Sequence, residues 1–381
     1  MNETPGRHAA NAADAVDAAD AAGDGPVAGS SAAPTIYDVA RAAGVSIASV
    51  SRVLNGTRNP RPETRDRVLQ AVAELGFVPD GAARALSARL KETVGVVYRR
   101  VPLDAAGPGV PSSEDENLQF ADVLNRGVEV AARRSGFSLL ISSVDAGERN
   151  AENRIRALAR KCDGLIVHDL VLEPDKLDRL ARQFPVVSLA GVTTPSSVGV
   201  RCDNAAGMRS LVGHLAGEHG YRTLAYLAGF PDSPDNLARR EAAVAAAAAA
   251  GIKLIEGPQW RAGYFSHDGA RAIDGLLGHG TALPRAVLCA NDLAALGAMQ
   301  ALARRGIDVP RDVAVTGFDD IPLAHLLRPQ LTTVRQPIQE LGATAFELLE
   351  SLITAGQAAP REVVLPVQFI RRESCGCPPA P

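Results

Sequence analysis

Few residues in this chain sit in a pattern that supports covalent or metal chemistry. Gly44-Val-Ser-Ile-Ala48 resembles the nucleophile elbow G-x-S-x-G, but an elbow needs a strand before its serine and a helix after it. Here the residues before Gly44 read as a helix. His214-Leu-Ala-Gly-Glu-His219 is one residue too long for the H-x-x-E-H zinc motif and reads as helix surface. The five cysteines, Cys162, Cys202, Cys289, Cys375 and Cys377, contain no C-x-x-C pair and no histidine at zinc-ligand spacing. Neither a phosphate-binding G-x-x-x-x-G-K-[ST] loop nor a G-x-G-x-x-G fingerprint occurs. The sequence therefore assigns no catalytic residue, no metal and no cofactor. The chemistry it does offer is non-covalent. Ile47, Ala48, Ser51, Arg52 and Asn55 fall on one helix face, which is odd for a solvated surface. It suits a DNA major groove, where methyl groups meet thymine and arginine bonds guanine bidentately.

The elements that must position that face are legible. Thr35 can cap a helix whose Ile36, Val39 and Ala40 share one side, and Gly44 is the left-handed residue that ends it. Ser46 can cap a second helix with Val50, Val53 and Leu54 turned inward, so the DNA-facing set points out. A third helix opens at Pro62, runs through Val68, Leu69, Val72 and Leu75 to Gly76, and closes a three-helix core. This is the helix-turn-helix arrangement, whose second helix enters the major groove.

Composition frames this module. The chain has 381 residues, 46% of them apolar and 22% charged, enough for two or three domains. Residues 1–33 carry five acids against Arg7 alone and have almost nothing large to bury, so they read as a disordered extension. They lack the basic start and apolar run of a signal peptide. No stretch approaches the roughly 20 apolar residues of a membrane span, and the cysteine usage points to the cytoplasm. The net charge of −3 hides an uneven spread, with residues 34–92 mildly basic.

The string T-I-Y-D-V-A-R-A-A-G-V-S-I-A-S-V-S-R-V-L-N-G, followed by P-D-G-A-A-R-A-L, resembles the lactose repressor (LacI/GalR) family of bacterial transcriptional regulators. The resemblance implies a small all-α helix-turn-helix domain over 34–78, a hinge helix and linker over 79–92, and an effector-binding and dimerisation domain over 93–381. Ile47, Ala48 and Arg52 then match the family's main base-reading positions, with Ser46, Ser49, Ser51 and Asn55 beside them. In the family the hinge helix folds on DNA and a leucine wedges into the minor groove; here that leucine is Leu86, with Arg84 as a further contact. Such a wedge costs a few kcal/mol of unstacking and is offset by a bent, better-wrapped duplex.

From Thr93 the pattern changes to short β-branched runs alternating with helices. Val94–Tyr98, Phe137–Ile141, Gly164–Val167 and Val186–Leu189 read as one strand set, and Arg222–Leu227, Ala286–Cys289 and Asp312–Thr316 as another. This predicts parallel sheets covered by helices, with ligands at the strands' carboxyl ends. The resemblance continues through Cys289–Gly297, Val309–Asp320 and Pro329–Val334, and implies the periplasmic-binding-protein type I architecture: two similar parallel-sheet subdomains, three crossings and an effector in the cleft. By motif the effector residues are Phe120, Arg239, Tyr264, Asn291 and Asp319, with Asp292 close by. Arg239 precedes Ala242, where the family usually has glycine, and Ala190 stands where it often places a polar group. The spacer from Leu103 to Asn117 is longer and more acidic than the pattern leads one to expect.

The function implied is a ligand-responsive regulator, expected to repress. It would bind a pseudo-palindromic double-stranded operator as a homodimer able to pair into tetramers, with a carbohydrate the default effector and no membrane partner. A solute-binding protein is the competing reading. It would need export, and both the missing signal peptide and the helix-turn-helix oppose it.

Overall fold

The computed structural model describes residues 34–54, 60–77, 90–100, 113–358 and 360–379. The chain falls into two compact units, residues 1–80 and 81–381.

In the first unit the described helices are α1 (Ile36–Ala43), α2 (Ile47–Leu54) and α3 (Pro62–Leu75). The Asp38 carboxylate holds the start of α1, accepting from Thr35 N at 2.9 Å and from Thr35 Oγ1 at 2.6 Å. Gly44 ends α1 at φ 62° and Gly76 ends α3 at φ 61°, conformations that only glycine adopts without strain. Val39, Val50 and Val68 are wholly buried, joined by Ala40, Ala43, Ala71 and Phe77. Each such valine contributes roughly 1.5–3 kcal/mol. The expected interior of α3 is corrected in two places. Leu69 and Leu75 are 45% and 37% exposed: Leu69 lies about 100° round the helix from Val68, and Ala71 takes the inward place. Leu75 is the last residue of α3 and is not part of the buried cluster.

The second unit opens with β1 (Thr93–Arg100), α4 (Ser113–Arg134), β2 (Ser138–Asp145), α5 (Ala151–Ala159), β3 (Gly164–His168), α6 (Pro174–Ala181), β4 (Val186–Leu189) and β5 (Val198–Cys202). It continues through α7 (Asn204–Gly217), β6 (Thr223–Leu227), α8 (Pro234–Ala249), β7 (Lys253–Ile255), α9 (Ser266–Gly278), β8 (Ala286–Cys289), α10 (Asp292–Arg304) and β9 (Ala314–Thr316). It ends with β10 (Thr333–Arg335), α11 (Ile338–Ala355), β11 (Glu362–Leu365) and β12 (Gln368–Ile370). One sheet runs β11-β5-β4-β3-β1-β2 and another β7-β6-β8-β9, and every pairing in both is parallel. Strands such as β3 and β8 are buried along almost their whole length, as parallel strands covered on both faces must be.

The two sheets define two lobes. Among the described residues the chain passes between them after β5, after β10 and after β11. A short antiparallel pair, β10 with β12, sits at these passages, an addition to the all-parallel expectation. Residues 113–117, read as spacer from sequence, are the first turns of α4; the rest of that spacer lies outside the described residues. In the second lobe α9 and α10 touch backbone to backbone. A Cβ on Gly297 would fall 1.7 Å from Ser266 O, and one on Gly269 2.1 Å from Ala294 O. No helix among the described residues is long and apolar enough to cross a membrane.

Candidate functional site

On α2 the turn-and-cap geometry leaves one face outward. Ser46 Oγ accepts from Ser49 N at 3.3 Å, and the two hydroxyls lie 2.9 Å apart, so Ser46 serves as the cap that the residue order suggested. Ile47 is 41% exposed, Ala48 is exposed beside it, and Arg52, also exposed, donates from Nε to Ala48 O at 3.1 Å. An isoleucine and a guanidinium exposed on one short helix can read a methyl group and a pair of acceptors. Ser49 and Ser51 are half-buried at the edge of this face. Asn55, Arg84 and Leu86 lie outside the described residues.

A cavity opens between the two lobes of the second unit. It takes in about 870 Å³ of open space, with its solvent-filled mouth included. Phe120, Arg239, Tyr264, Asn291 and Asp319 all line it, so the fold gathers the five residues proposed from sequence around one space. Arg99 and His168 reach it from the ends of β1 and β3, with Asp169 just beyond. Phe230 and Ser233 come from the loop after β6, Asp235 from the first turn of α8, and Gln336 from just after β10. None of these seven was singled out from sequence, although most follow a parallel strand's carboxyl end, where ligands bind in open α/β sheets.

Arg239 organises the floor. Only 3% exposed, it donates from Nε to Asn204 Oδ1 at 2.8 Å, from Nη1 to Ala290 O at 2.8 Å and from Nη2 to Asp235 at 3.3 Å. It faces Asp319 at 3.7 Å, and its Cζ lies over the Phe318 ring, 3.9 Å from the centroid. Burial opposes its charge, but Asp235 and Asp319 outweigh that and hold it cationic. Burial drives Asp235 upward despite Arg239. It also pushes Asp319 up to about 6 against the pull of Arg239 and of Gln336, whose Nε2 donates at 2.6 Å. Asp292 lies beneath the cavity rather than on its wall. It accepts from Thr333 Oγ1 at 2.5 Å and Ile321 N at 2.9 Å, and burial, then the charge of Asp319, drive it well above the ordinary carboxylate range.

The backbone at this corner is strained: Asp319 has φ 120° and Asp320 φ 58°. Each costs on the order of 1–3 kcal/mol and persists only where the surroundings over-determine it. Here Asp319 N donates to Val334 O at 2.8 Å, and Asp320 is clamped by Arg335 at 2.7 Å and Arg372 at 2.6 Å.

Aromatic rings form the walls. Tyr264 meets Phe230 edge-on at 5.1 Å and packs so closely on Gly229 that a Cβ there would fall 2.3 Å from its ring. Its hydroxyl donates to Ser233, which donates in turn to Asp169, at 2.8 and 2.9 Å. Across the cavity Phe120 meets the His168 ring at 6.1 Å. Burial disfavours the His168 cation, yet Asp169, 2.5 Å from Nδ1, raises the imidazole above its usual value. His168 Nε2 and Arg99 Nε are buried with no hydrogen-bond partner among the described residues, two polar nitrogens left over on cavity-lining residues. Asn291 is more committed: its Oδ1 caps α10 at Ala294 N and its Nδ2 donates to Tyr264 O. Ala190, buried at φ 55°, does not line the cavity; the polar groups on that side come from His168 and Asp169.

Residues 35–80 match the model of the bacterial regulatory proteins, lacI family, and residues 212–375 match the periplasmic binding protein-like domain. Over 318 residues the chain is 36% identical to the HTH-type transcriptional regulator GalS of Salmonella typhimurium, covering 82% of this chain and 88% of that one. It is 32% identical to the HTH-type transcriptional repressor PurR of Pasteurella multocida, covering 83% and 90%. Among solved structures, the lac repressor dimer bound to operator and the anti-inducer ONPF superposes with a TM-score of 0.76 at 26% identity, covering 90% of this chain and 99% of that chain. The complex of transcriptional regulator CelR with cellobiose gives 0.63 at 29% identity over 90% and 99%.

Proposed function

Because this chain belongs to the lacI family of bacterial regulatory proteins, we propose that it is a cytoplasmic repressor that binds an operator as a dimer and releases or grips it according to a neutral polyhydroxyl effector in the interlobe cleft. It is a transcriptional regulator rather than an enzyme, as its relatives are. The domain plan follows the sequence: a reading head within 34–78, a hinge over 79–92 and a sensing domain from 93 onward.

The observation that carries the effector class is the charge balance of the cavity. Asp169, Asp235 and Asp319 line it against Arg99, Arg239 and His168, and the Arg239 guanidinium already serves internal partners. With groups of the two signs close to balance, the lining favours neither an anion nor a cation. A sugar would find carboxylates to accept its hydroxyls, the two left-over nitrogens of His168 and Arg99, and aromatic faces for its apolar side. Ile47, Ala48 and Arg52 are the base-reading residues of this proposal, Ser46, Ser49, Ser51 and Asn55 their flanking contacts, and Arg84 and Leu86 the hinge contacts. A two-fold protein requires a two-fold site, and by linkage effector and operator change each other's affinity by one factor.

The test is selection of genomic fragments by the purified full chain at physiological salt, then titration of the selected duplex with neutral sugars and with purines. An inverted repeat whose affinity shifts with a sugar supports the proposal. A purine response would replace the effector class, and a folded protein that enriches no motif with either ligand present would remove the operator reading. Replacing Asp319 by Ala should abolish the sugar response and leave operator binding in place.

A further inference from the structure

The remaining chemistry in the second unit lies at its C-terminal side. His214 sits in the last turn of α7, His219 just beyond it, and Cys375 and Cys377 follow β12. One ligand atom from each gathers into a cluster no more than 4.8 Å across. His214 Nε2 lies 3.1 Å from His219 Nε2, 3.5 Å from Cys375 Sγ and 3.4 Å from Cys377 Sγ, and Cys377 Sγ lies 3.3 Å from His219 Nε2. Hydrogen bonding cannot account for this. A neutral imidazole nitrogen carries either one proton or one lone pair, yet His214 Nε2 has three close partners at once.

We infer that His214, His219, Cys375 and Cys377 form a tetrahedral zinc site that clips the C-terminal segment to the end of α7. Zinc bonds nitrogen at about 2.0–2.1 Å and thiolate at about 2.3 Å in a tetrahedron, which places neighbouring nitrogens about 3.3 Å apart and nitrogen and sulfur about 3.6 Å apart. The four distances above match those edges to within a few tenths of an ångström. The Cys₂His₂ set is closed, with no position left for water or substrate, the mark of a structural site. Two thiolates neutralise the ion, and their two protons leave to solvent on binding.

The surroundings hold the ligands in place. Gly376, at φ 107°, folds the Cys-Gly-Cys turn so that both sulfurs reach one point; a Cβ there would lie 3.0 Å from Tyr221 Oη. That hydroxyl donates to Cys375 O at 2.9 Å. The Tyr221 ring stacks on His219 at 5.2 Å, and Phe369 backs His214 at 4.9 Å. Sequence spacing assigned no metal because the histidines and cysteines are about 160 residues apart and meet only in the fold.

The test uses the untagged full chain, stripped with a chelator under reducing conditions and titrated with cobalt(II), then zinc. Expected are one metal per chain by elemental analysis, the visible bands of tetrahedral cobalt with thiolate charge transfer, and their loss as zinc displaces cobalt. Cys377→Ser and His219→Asn, at half-buried positions that should tolerate the change, each weaken binding by at least about tenfold. The inference is overturned if folded protein, judged by Trp260 fluorescence, gives no tetrahedral cobalt spectrum. It is equally overturned if either variant binds as the parent does, or if Cys375 and Cys377 are found joined as a disulfide under the same conditions.

Discussion

Replacing Asp319 by Asn should change how the stability of the second unit depends on pH. Burial pushes this carboxyl up to about 6, against roughly 3.9 in an unfolded chain. The native state therefore holds the proton more tightly. The stabilisation is fully present below about pH 3.9 and is lost as pH rises through about 6. Integrated from about pH 5 to about pH 7.5, the parent loses about 1.4 kcal/mol that the variant keeps. Asp235 titrates in both proteins and cancels to first order, whereas Asp292, raised in part by the Asp319 charge, should fall in the variant and add to the difference. Trp260, the chain's one tryptophan, is 1% exposed and packs in the lobe that holds Asp319, so its fluorescence reports the relevant unfolding. With a urea slope of about 3 kcal/mol per molar, the parent's midpoint should fall between the two pH values by about 0.5 M more than the variant's. Comparing slopes rather than absolute stabilities removes any constant cost of the substitution. Midpoints that move in parallel would refute the argument that Asp319 is the buried, proton-holding carboxyl of the cleft.

Other perturbations follow from the same geometry. Arg239→Met leaves Asp235 and Asp319 buried without their cation and should cost roughly 3–5 kcal/mol in urea unfolding; a cost below about 1 kcal/mol would mean the cluster relaxes into solvent. Gly297→Ala puts a Cβ against Ser266 O and should destabilise the lobe by about 1–3 kcal/mol, whereas an unchanged midpoint would show that α9 and α10 can separate freely. Arg52→Ala should lose about 1–3 kcal/mol of operator affinity and relax the choice at one base pair. Uniform weakening on all sequences would make Arg52 a phosphate contact.

The helices of the first unit were legible because caps, terminal glycines and a 3.6-residue apolar period are local signals. Leu69 shows their limit: a hydrophobic residue one step off the stripe looks the same in sequence and ends up outside. In the second unit, β3 and β8 were legible as short β-branched runs. Strands β7, β10 and β12, three residues each, are too brief to show a period. In the cleft, motif resemblance pointed to Arg239 and Asp319, whereas His168 and Asp169 carry no pattern of their own. They reach the cavity only because parallel strands all point their carboxyl ends one way. The carboxyl value of Asp319 is likewise a property of burial, invisible until its neighbours are placed.

The strand order β11-β5-β4-β3-β1-β2 also sets a timetable for synthesis. Strand β5 pairs with β11, matching Val200 to Val363, so a ribosome must make all four strands of the second sheet before the first sheet receives its last strand. Until then β5 presents an unpaired edge, the kind of surface on which nascent chains pair wrongly with one another. A fragment ending before Glu362 would keep that edge for good. Neither lobe can close on itself while it is being made: the first waits for β11, and the second for the segment that carries β12 and the buried Cys375.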